Sequence, residues 1–565
     1  MIARSTSARA EILRLARPGA ASSAPGLLTG LAAAASTVAL LACSAWLIVR
    51  ASENPPVMFL GMAVVGVRAF ALARAFFRYL ERLFSHDAAF RSLERVRVHV
   101  FERLVPLAPD GLGRTSRGGA LSTMVSDIDD LQDHPLRVVQ PLVTSIGVAL
   151  LAVGFLATIS PVAALALLAS LVAFVVVAAA ASSLVAARAE RSIAPLRASL
   201  VAAVVEHMRG LDVLIAFGTA DRSLARVRAA DALLTRAVVR RAVGTAIGAA
   251  ALSLFGGGAV ALALVASIPE AASGGLGGPA FAVVVLVPLA VFEIVAMVPH
   301  ALGVSRQVAA AADRVAETAP ADPPSHIPLE AGSSAEPDAS TAPAIELRGA
   351  SAQWGDGSPA LERVDLTVRE GERVWIDGES GSGKTSLAHV LVRFLDHEGV
   401  YRLRGVDVHG LHPDAVRRVV GLVEQTPFLF DETIRQNLLF ARPEADDDEL
   451  ARVLERVGLG EWLAARGGLD ARVGERGALV SGGQAGRIAL ARALLRDFPV
   501  IVLDEPTASV ESDLAVALIR DLLDASAGRT VVLISHADVP EDVEVRRLTM
   551  TNGVLRTADP AVVGS

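Results

Sequence analysis

Arg373-Val-Trp-Ile-Asp-Gly-Glu-Ser-Gly-Ser-Gly-Lys-Thr-Ser386 decides how the second half of this chain is read. Its first five residues have the apolar, β-branched character of a buried strand, and a helix is expected from about Ser386. Between them lies a glycine-rich loop of the P-loop kind. Glycines let backbone N–H groups turn inward around phosphates, Lys384 can reach the β and γ oxygens, and Thr385 can ligate Mg²⁺. Gly378, Ser380, Gly381, Ser382, Gly383, Lys384, Thr385 and Ser386 are therefore the expected nucleotide-binding residues. Of the 53 Lys and Arg residues, Lys384 is the one lysine. An arginine fork would not fit the amide cradle that a compact ammonium enters.

Working outward, Val500-Ile-Val-Leu-Asp-Glu505 is an apolar strand ending in two carboxylates. Asp504 suits Mg²⁺, and Glu505 is placed to polarise an attacking water. Between the two motifs lies Val480-Ser-Gly-Gly-Gln484, followed by a helical run. Ser481, Gly482, Gly483 and Gln484 at a helix N-terminus supply donors and a positive dipole end suited to a γ-phosphate from another subunit. This order of motifs resembles the ATP-binding-cassette (ABC) transporters, with Val480 where the family has Leu and Ala485-Gly486 after the signature.

The resemblance implies further roles. Gln425 would link the γ-phosphate and Mg²⁺, with Thr385 and Asp504, to the membrane half. His536 would contact the γ-phosphate, and Trp354 would stack on adenine. Val473-Gly-Glu-Arg-Gly477 resembles an exporter motif that meets coupling helices. Ala508-Ser-Val-Glu511 departs from a family loop that ends in Asp. Since one cassette's P-loop is closed by another's signature in this family, a chain with one of each is expected to be a half-transporter that dimerises.

The chain has 565 residues, 52% hydrophobic and 4% aromatic, and its mean hydropathy of +0.48 points to a membrane. A net charge of −7 argues against a nucleic-acid partner. The lone cysteine, Cys43, excludes an intrachain disulfide and reads as a packing residue. Apolar stretches at 26–48, 57–80, 137–158, 161–185, 243–267 and 279–302 are long enough to cross the bilayer. Arginines crowd the N-terminus and the segments 81–136 and 186–242, which places both termini and both long loops on the cytoplasmic side. Those loops read as helices leaving the membrane, with short connecting helices near Leu121 to Leu131 and Phe217 to Leu224. The expected domains are 1–317 (transmembrane), 318–343 (a Pro/Ser/Ala-rich linker) and 344–565 (cassette). The expected fold class is thus a six-span α-helical transmembrane domain followed by an α/β P-loop nucleotide-binding domain, and the resemblance to ABC transporters implies the type I/type IV ABC exporter form of it.

Arg74, Arg78, Arg82 and His86 recur every four residues and so share one helix face. Two readings stand: a cationic wall of a substrate path, or arginines snorkelling at the membrane edge and pairing with Glu81 or Asp87. Glu293, an intramembrane carboxylate, is a second pathway candidate, with a partner arginine as its alternative. The wording around Arg78-Tyr-Leu-Glu-Arg-Leu-Phe-Ser-His-Asp87, Val100 to Pro109 and Phe292-Glu293 resembles the CydC half of the CydDC exporters. That resemblance implies a CydD-like partner in the bacterial cytoplasmic membrane, a role in cytochrome bd assembly, and a thiol (cysteine or glutathione) or haem b as the molecule handled. His86 would ligate haem iron and the arginines its propionates. The alternative is a lipid or drug exporter of the same fold.

Overall fold

The computed structural model describes residues 2–108, 123–181, 187–328, 332–338, 341–355, 357–507, 512–536 and 543–557. The Ala508–Glu511 departure lies outside them, as do parts of the expected linker. The chain separates into two compact units, Met1–Leu104 with Thr115–Ala321, and Val105–Arg114 with Asp322–Ser565.

Among the described residues, six helical stretches are long and apolar enough to cross a membrane: Ala20–Ser52, Met58–Leu107, Met124–Ala157, Pro161–Ala178, Ala220–Ala272 and Gly278–Thr318. Apart from the short helical turns between Thr123 and Val139, the α-helices described in this unit are α1 (Ile2–Leu15), α2 (Ala20–Ser52), α3 (Met58–Leu104), α4 (Gln140–Ala157), α5 (Pro161–Ala181), α6 (Ala187–Arg209), α7 (Leu211–Ala216), α8 (Ala220–Ala272), α9 (Gly278–Val295) and α10 (Met297–Thr318). With 47 and 53 residues, α3 and α8 are roughly 70 and 80 Å long at 1.5 Å per residue, far beyond about 30 Å of hydrocarbon. They are the helices expected to run out of the membrane. α2 packs on α3 and α9, and α8 packs on α5, α6 and α9. Phe174 centres the core, with ring centroids 6.5 Å from Phe255 and 5.8 Å from Phe292.

The second connecting helix falls earlier than its sequence suggests. α7 covers Leu211–Ala216, and by Ala220 the chain is already in α8. Gly218, at φ 63°, ends α7, and the Thr219 N–H reaches back to Leu214 O at 2.8 Å, a left-handed helix stop that favours glycine. The first connecting segment is helical over Thr123–Leu131 and buries Ile128 and Leu131.

The described residues of the second unit form two sheets. One is antiparallel, in the order β2-β1-β4-β5, built from β1 (Ile345–Gln353), β2 (Pro359–Val368), β4 (Glu398–Leu403) and β5 (Val406–Asp407). The other runs β10-β9-β3-β8-β7-β6, from β3 (Arg373–Asp377), β6 (Val420–Val423), β7 (Val500–Asp504), β8 (Thr530–Ile534), β9 (Arg546–Thr551) and β10 (Val554–Thr557). All its pairings but β10 with β9 are parallel. Every residue of β7 and β8 is buried, as expected of strands covered on both faces. Each such Val, Ile or Leu contributes about 1.5–3 kcal/mol by leaving water. The sheet holds the C-terminal ends of β3, β7 and β8 side by side, and the functional loops leave from those ends.

Candidate functional site

The P-loop joins β3 to α11 (Lys384–Leu391), and two of its glycines are sterically required. Gly378 has φ 152° and a Cβ there would lie 2.2 Å from Met550 O; Gly383, at φ 107°, would put a Cβ 2.5 Å from Ala360 O. The loop is thus pressed against neighbouring backbone; its Gly378 N–H donates to Asp377 Oδ1 at 2.7 Å and its Ser382 N–H to Glu379 O at 3.2 Å, and the glycine-rich backbone between them suits an anion. It lines a cleft of about 550 Å³ with Trp354, Gln425, Glu505 and Asn552. The Trp354 ring meets His389 edge to face at 6.2 Å.

Lys384 is 4% exposed. Its Nζ donates to Gly378 O at 2.6 Å and Glu379 O at 2.9 Å, and lies 3.0 Å from His536 Nε2 and 3.7 Å from Glu505 Oε1. His536 Nε2 is also 3.2 Å from Glu505 Oε1. One ring nitrogen cannot accept from Lys384 and donate to Glu505 together. With the ammonium donating, Nε2 accepts and the ring proton sits on Nδ1, 3.9 Å from Asp377 Oδ1. Gln425 Nε2 donates to Glu505 Oε2 at 2.8 Å. Lys384, Gln425, Glu505 and His536, far apart in sequence, therefore form one polar cluster.

Glu505 adopts φ 43°, unusual for a side-chain-bearing residue and typical of functional sites, and its N–H is tied to Ile534 O at 2.8 Å. Trp375 Nε1 holds Ser535 O at 3.1 Å, which fixes the backbone just before His536. Asp504 is 4% exposed. Burial pushes its carboxyl above the ordinary 3.8, and a hydrogen bond from Thr385 opposes the shift. Asp504 Oδ1 and Ser382 Oγ are buried without a hydrogen-bond partner among the described residues. Orphaned oxygens beside a P-loop are what Mg²⁺ and phosphate would satisfy, so the residues fit the metal and the nucleotide.

The signature sits elsewhere. Ser481 caps α12 (Gly482–Leu495) in a capping box, its hydroxyl accepting from the Gln484 N–H at 3.3 Å and Gln484 Oε1 from the Ser481 N–H at 2.9 Å. Gln484 thus shapes the helix start. Ser481 and Gly482 are exposed, and none of Ser481 to Gln484 lines the P-loop cleft. Gly474 and Gly477 of the preceding motif take φ 77° and 78°, while Val473 is buried.

Sequence reasoning missed a clamp on the segment that follows Gln425. Arg492 of α12 donates from Nε to Asn437 O and from Nη1 to Phe428 O, both at 2.7 Å. Asn437, fully buried, receives the Phe430 N–H at 3.0 Å and donates to Phe430 O at 3.0 Å. Burial lowers the Arg492 guanidinium to about 10. No local pattern signals an Arg and an Asn that are 55 residues apart.

In the helical unit, Arg74, Arg78, Arg82 and His86 are all exposed on α3, and the three guanidiniums make no ion pair within 4 Å among the described residues. His86 Nδ1 lies 2.9 Å from Arg82 O, and Nε2 has no hydrogen-bond partner among the described residues. Asp87 pairs with Arg91 at 3.1 Å, and Glu81 accepts from Gln140 Nε2 of α4. Neither acid forms a close pair with the stripe. Glu293 is exposed on α9 and makes no ion pair or hydrogen bond with a described residue. Cys43 Sγ lies 3.3 Å from Ala63 O beside an apolar cavity of about 550 Å³ lined by Trp46 and Phe70.

Comparison with known proteins connects the two halves. Residues 361–508 match the ABC transporter family and residues 25–287 the ABC transporter transmembrane region. The glutathione/L-cysteine transport system ATP-binding/permease protein CydC of Escherichia coli K12 is 32% identical, over 84% of this chain and 82% of its own length. CydD of the same-named system in Bacillus subtilis is 27% identical over 88% and 86%. A solved bacterial Atm1-family ABC exporter with ATP bound superposes with a TM-score of 0.79, covering 94% of this chain and 93% of that one at 20% identity, which shows the shared fold. With a multi-pass membrane half, an ATPase cassette and one copy of each cassette motif, the chain belongs to the ABC transporters as an exporter-type half-transporter resembling CydC.

Proposed function

We propose that this chain is the CydC-like half of a heterodimer with a CydD-like chain, and that the pair exports a small thiol of the cysteine or glutathione kind. Both termini and the cassette would lie on the cytoplasmic side of a bacterial cytoplasmic membrane, with the domains divided at 1–317, 318–343 and 344–565, and export would support cytochrome bd assembly. The observation that carries this is resemblance to CydC through the membrane half as well as the cassette. The exposed cationic stripe of α3 suits an anionic thiol.

In the proposed cycle, Lys384 and the N–H groups of Gly378 to Ser386 hold the phosphates, and Trp354 stacks on adenine. Thr385, Gln425 and Asp504 would hold Mg²⁺, which would supply charge neutralisation at the phosphates. Glu505 accepts a hydrogen bond from the attacking water, while His536 contacts the γ-phosphate. The partner's signature closes this cleft, and Ser481 to Gln484 close the partner's, so two chains clamp together and reopen after hydrolysis. Haem is a second cargo with one observation in its favour: His86 Nδ1 bonds its own helix, so that Nε2, without a partner among the described residues, could ligate iron near arginines that suit propionates.

The test is ATPase activity of the purified pair in lipid nanodiscs, with cysteine, glutathione, haem or amphiphilic drugs added. Stimulation by the thiols is expected, with loss of it in Arg78→Ala/Arg82→Ala. Stimulation by drugs or lipids alone would assign the chain to the lipid or drug exporters of this fold.

A further inference from the structure

Within the cassette, a second cluster of ligating side chains lies at the far end of the P-loop helix. After α11 the chain turns through Asp396 and His397 into β4, crosses to β5, and enters a short turn, Val408–Gly410, that carries His409. Tyr401 of β4 donates its hydroxyl to Leu391 O at 2.8 Å, so this corner is tied to the last residue of α11.

The polar atoms here are arranged around a common point. One ligand atom each from Asp396, His397 and His409 lies within 4.8 Å of the other two. Asp396 Oδ1 is 3.9 Å from His397 Nδ1 and 3.8 Å from His409 Nε2. The His397 side chain is completely buried, yet neither ring nitrogen has a hydrogen-bond partner among the described residues. A buried imidazole bonded at neither nitrogen needs an explanation, and packing supplies only part of it: its ring lies 4.5 Å from that of His409 and 5.7 Å from that of Tyr401. An outer shell is also present. Arg393 Nη1 donates to Asp396 Oδ1 at 2.6 Å, and Asp407 Oδ1 lies 3.4 Å from His409 Nδ1. A carboxylate behind a histidine, and a donor fixing a ligating carboxylate, are the usual supports of metal ligands.

We propose that Asp396, His397 and His409 bind a divalent transition cation, zinc by its chemistry, at a site separate from the nucleotide cleft. Two imidazoles and one carboxylate favour zinc over Mg²⁺ or Ca²⁺, which prefer all-oxygen shells. Three protein ligands leave a fourth tetrahedral position to water. With ligands about 2.1 Å from the ion, tetrahedral neighbours stand about 3.4 Å apart, so the cluster must contract slightly. His409 can do this, because its side chain is 43% exposed at the mouth, while His397 stays fixed. The bound ion would join the segment after α11, which carries Asp396 and His397, to the turn after β5, which carries His409.

The test uses the full chain purified without a histidine tag, with Co²⁺ as a spectroscopic stand-in for zinc. Titration is expected to give one equivalent per chain with the visible absorption of tetrahedral Co²⁺, displaced by Zn²⁺ and not by millimolar Mg²⁺. His409→Ala, at an exposed position, should weaken binding at least tenfold with MgATP affinity unchanged, and Asp407→Asn should weaken it less. His397→Gln is the stronger test of the ligand set, and His409→Ala keeps the question open to refutation if that variant misfolds. Unchanged Co²⁺ affinity in His409→Ala, or an octahedral spectrum displaced by Mg²⁺, would overturn the assignment.

Discussion

Replacing Lys384 by Arg keeps the charge and changes its shape, and so isolates what the P-loop requires of this residue. The side chain is 4% exposed, and its ammonium already bonds Gly378 O and Glu379 O at 2.6 and 2.9 Å. Bound phosphate would take over donors from these carbonyls, so binding exchanges hydrogen bonds instead of adding them. Each charged hydrogen bond is worth about 1.5–3 kcal/mol net. A wider guanidinium must also be fitted where the loop backbone cannot retreat: a single Cβ at Gly378 or Gly383 would already sit 2.2 or 2.5 Å from a carbonyl oxygen. Overpacking of that sort costs about 1–3 kcal/mol. Loss of one phosphate contact, partly offset by the retained charge, plus modest overpacking gives about 2–4 kcal/mol, or roughly 30- to 1,000-fold weaker MgATP at about 1.4 kcal/mol per decade. The assay is titration of the full chain in detergent with a fluorescent ATP analogue, with thermal unfolding in the absence of nucleotide as the control for folding. Affinity within threefold of wild type in a folded Lys384→Arg protein would refute the argument that cradle geometry selects lysine.

Four further outcomes follow from the same cleft and its clamp. Glu505→Gln should retain nucleotide binding and lower ATP turnover at this site about 10²- to 10⁴-fold; unchanged turnover with the partner's own site disabled would remove Glu505 from catalysis. Gly378→Ala should abolish MgATP binding through the clash with Met550 O, and normal binding would show that the loop can move away. The raised Asp504 pKa means that its contribution to stability is full below the unfolded value of 3.8 and is lost as pH rises through the folded value. Without Mg²⁺, Asp504→Asn should therefore gain thermal stability relative to wild type as pH rises across that window, and a pH-independent difference would contradict the burial argument. Arg492→Ala removes the bonds to Asn437 O, Asn437 Oδ1 and Phe428 O and, at about 1.5–3 kcal/mol net for a charged hydrogen bond, should destabilise the cassette by about 2–4 kcal/mol, read from denaturant unfolding; a loss below about 1 kcal/mol would mean the clamp is dispensable.

Much of this was legible from sequence because it is local. The P-loop, the Val500–Glu505 strand and the signature each carry their chemistry within a few consecutive residues, and hydrophobic length alone marked six spans. What was not legible depends on long-range packing. Gln425, Glu505 and His536 could be placed in order along the chain, but not in one hydrogen-bonded cluster with Lys384. The Arg492–Asn437 clamp and the His397–His409 pair have no sequence period. The second connecting helix was placed too late because Phe217-Gly218 reads as a start, whereas Gly218 in the left-handed region is a stop. The arginine stripe was visible as a spacing of four, and the structure adds that Glu81 and Asp87 bond Gln140 and Arg91 instead of closing it off.

The central claim, ATP-driven export of a small thiol by this chain with a CydD-like partner, is tested most directly in inside-out vesicles holding the purified pair. The account predicts ATP-dependent accumulation of radiolabelled cysteine or glutathione that requires both chains and is reduced by Arg78→Ala/Arg82→Ala. Accumulation that proceeds without ATP, or vigorous ATP hydrolysis with no thiol movement in vesicles that transport a lipid or drug, would contradict it.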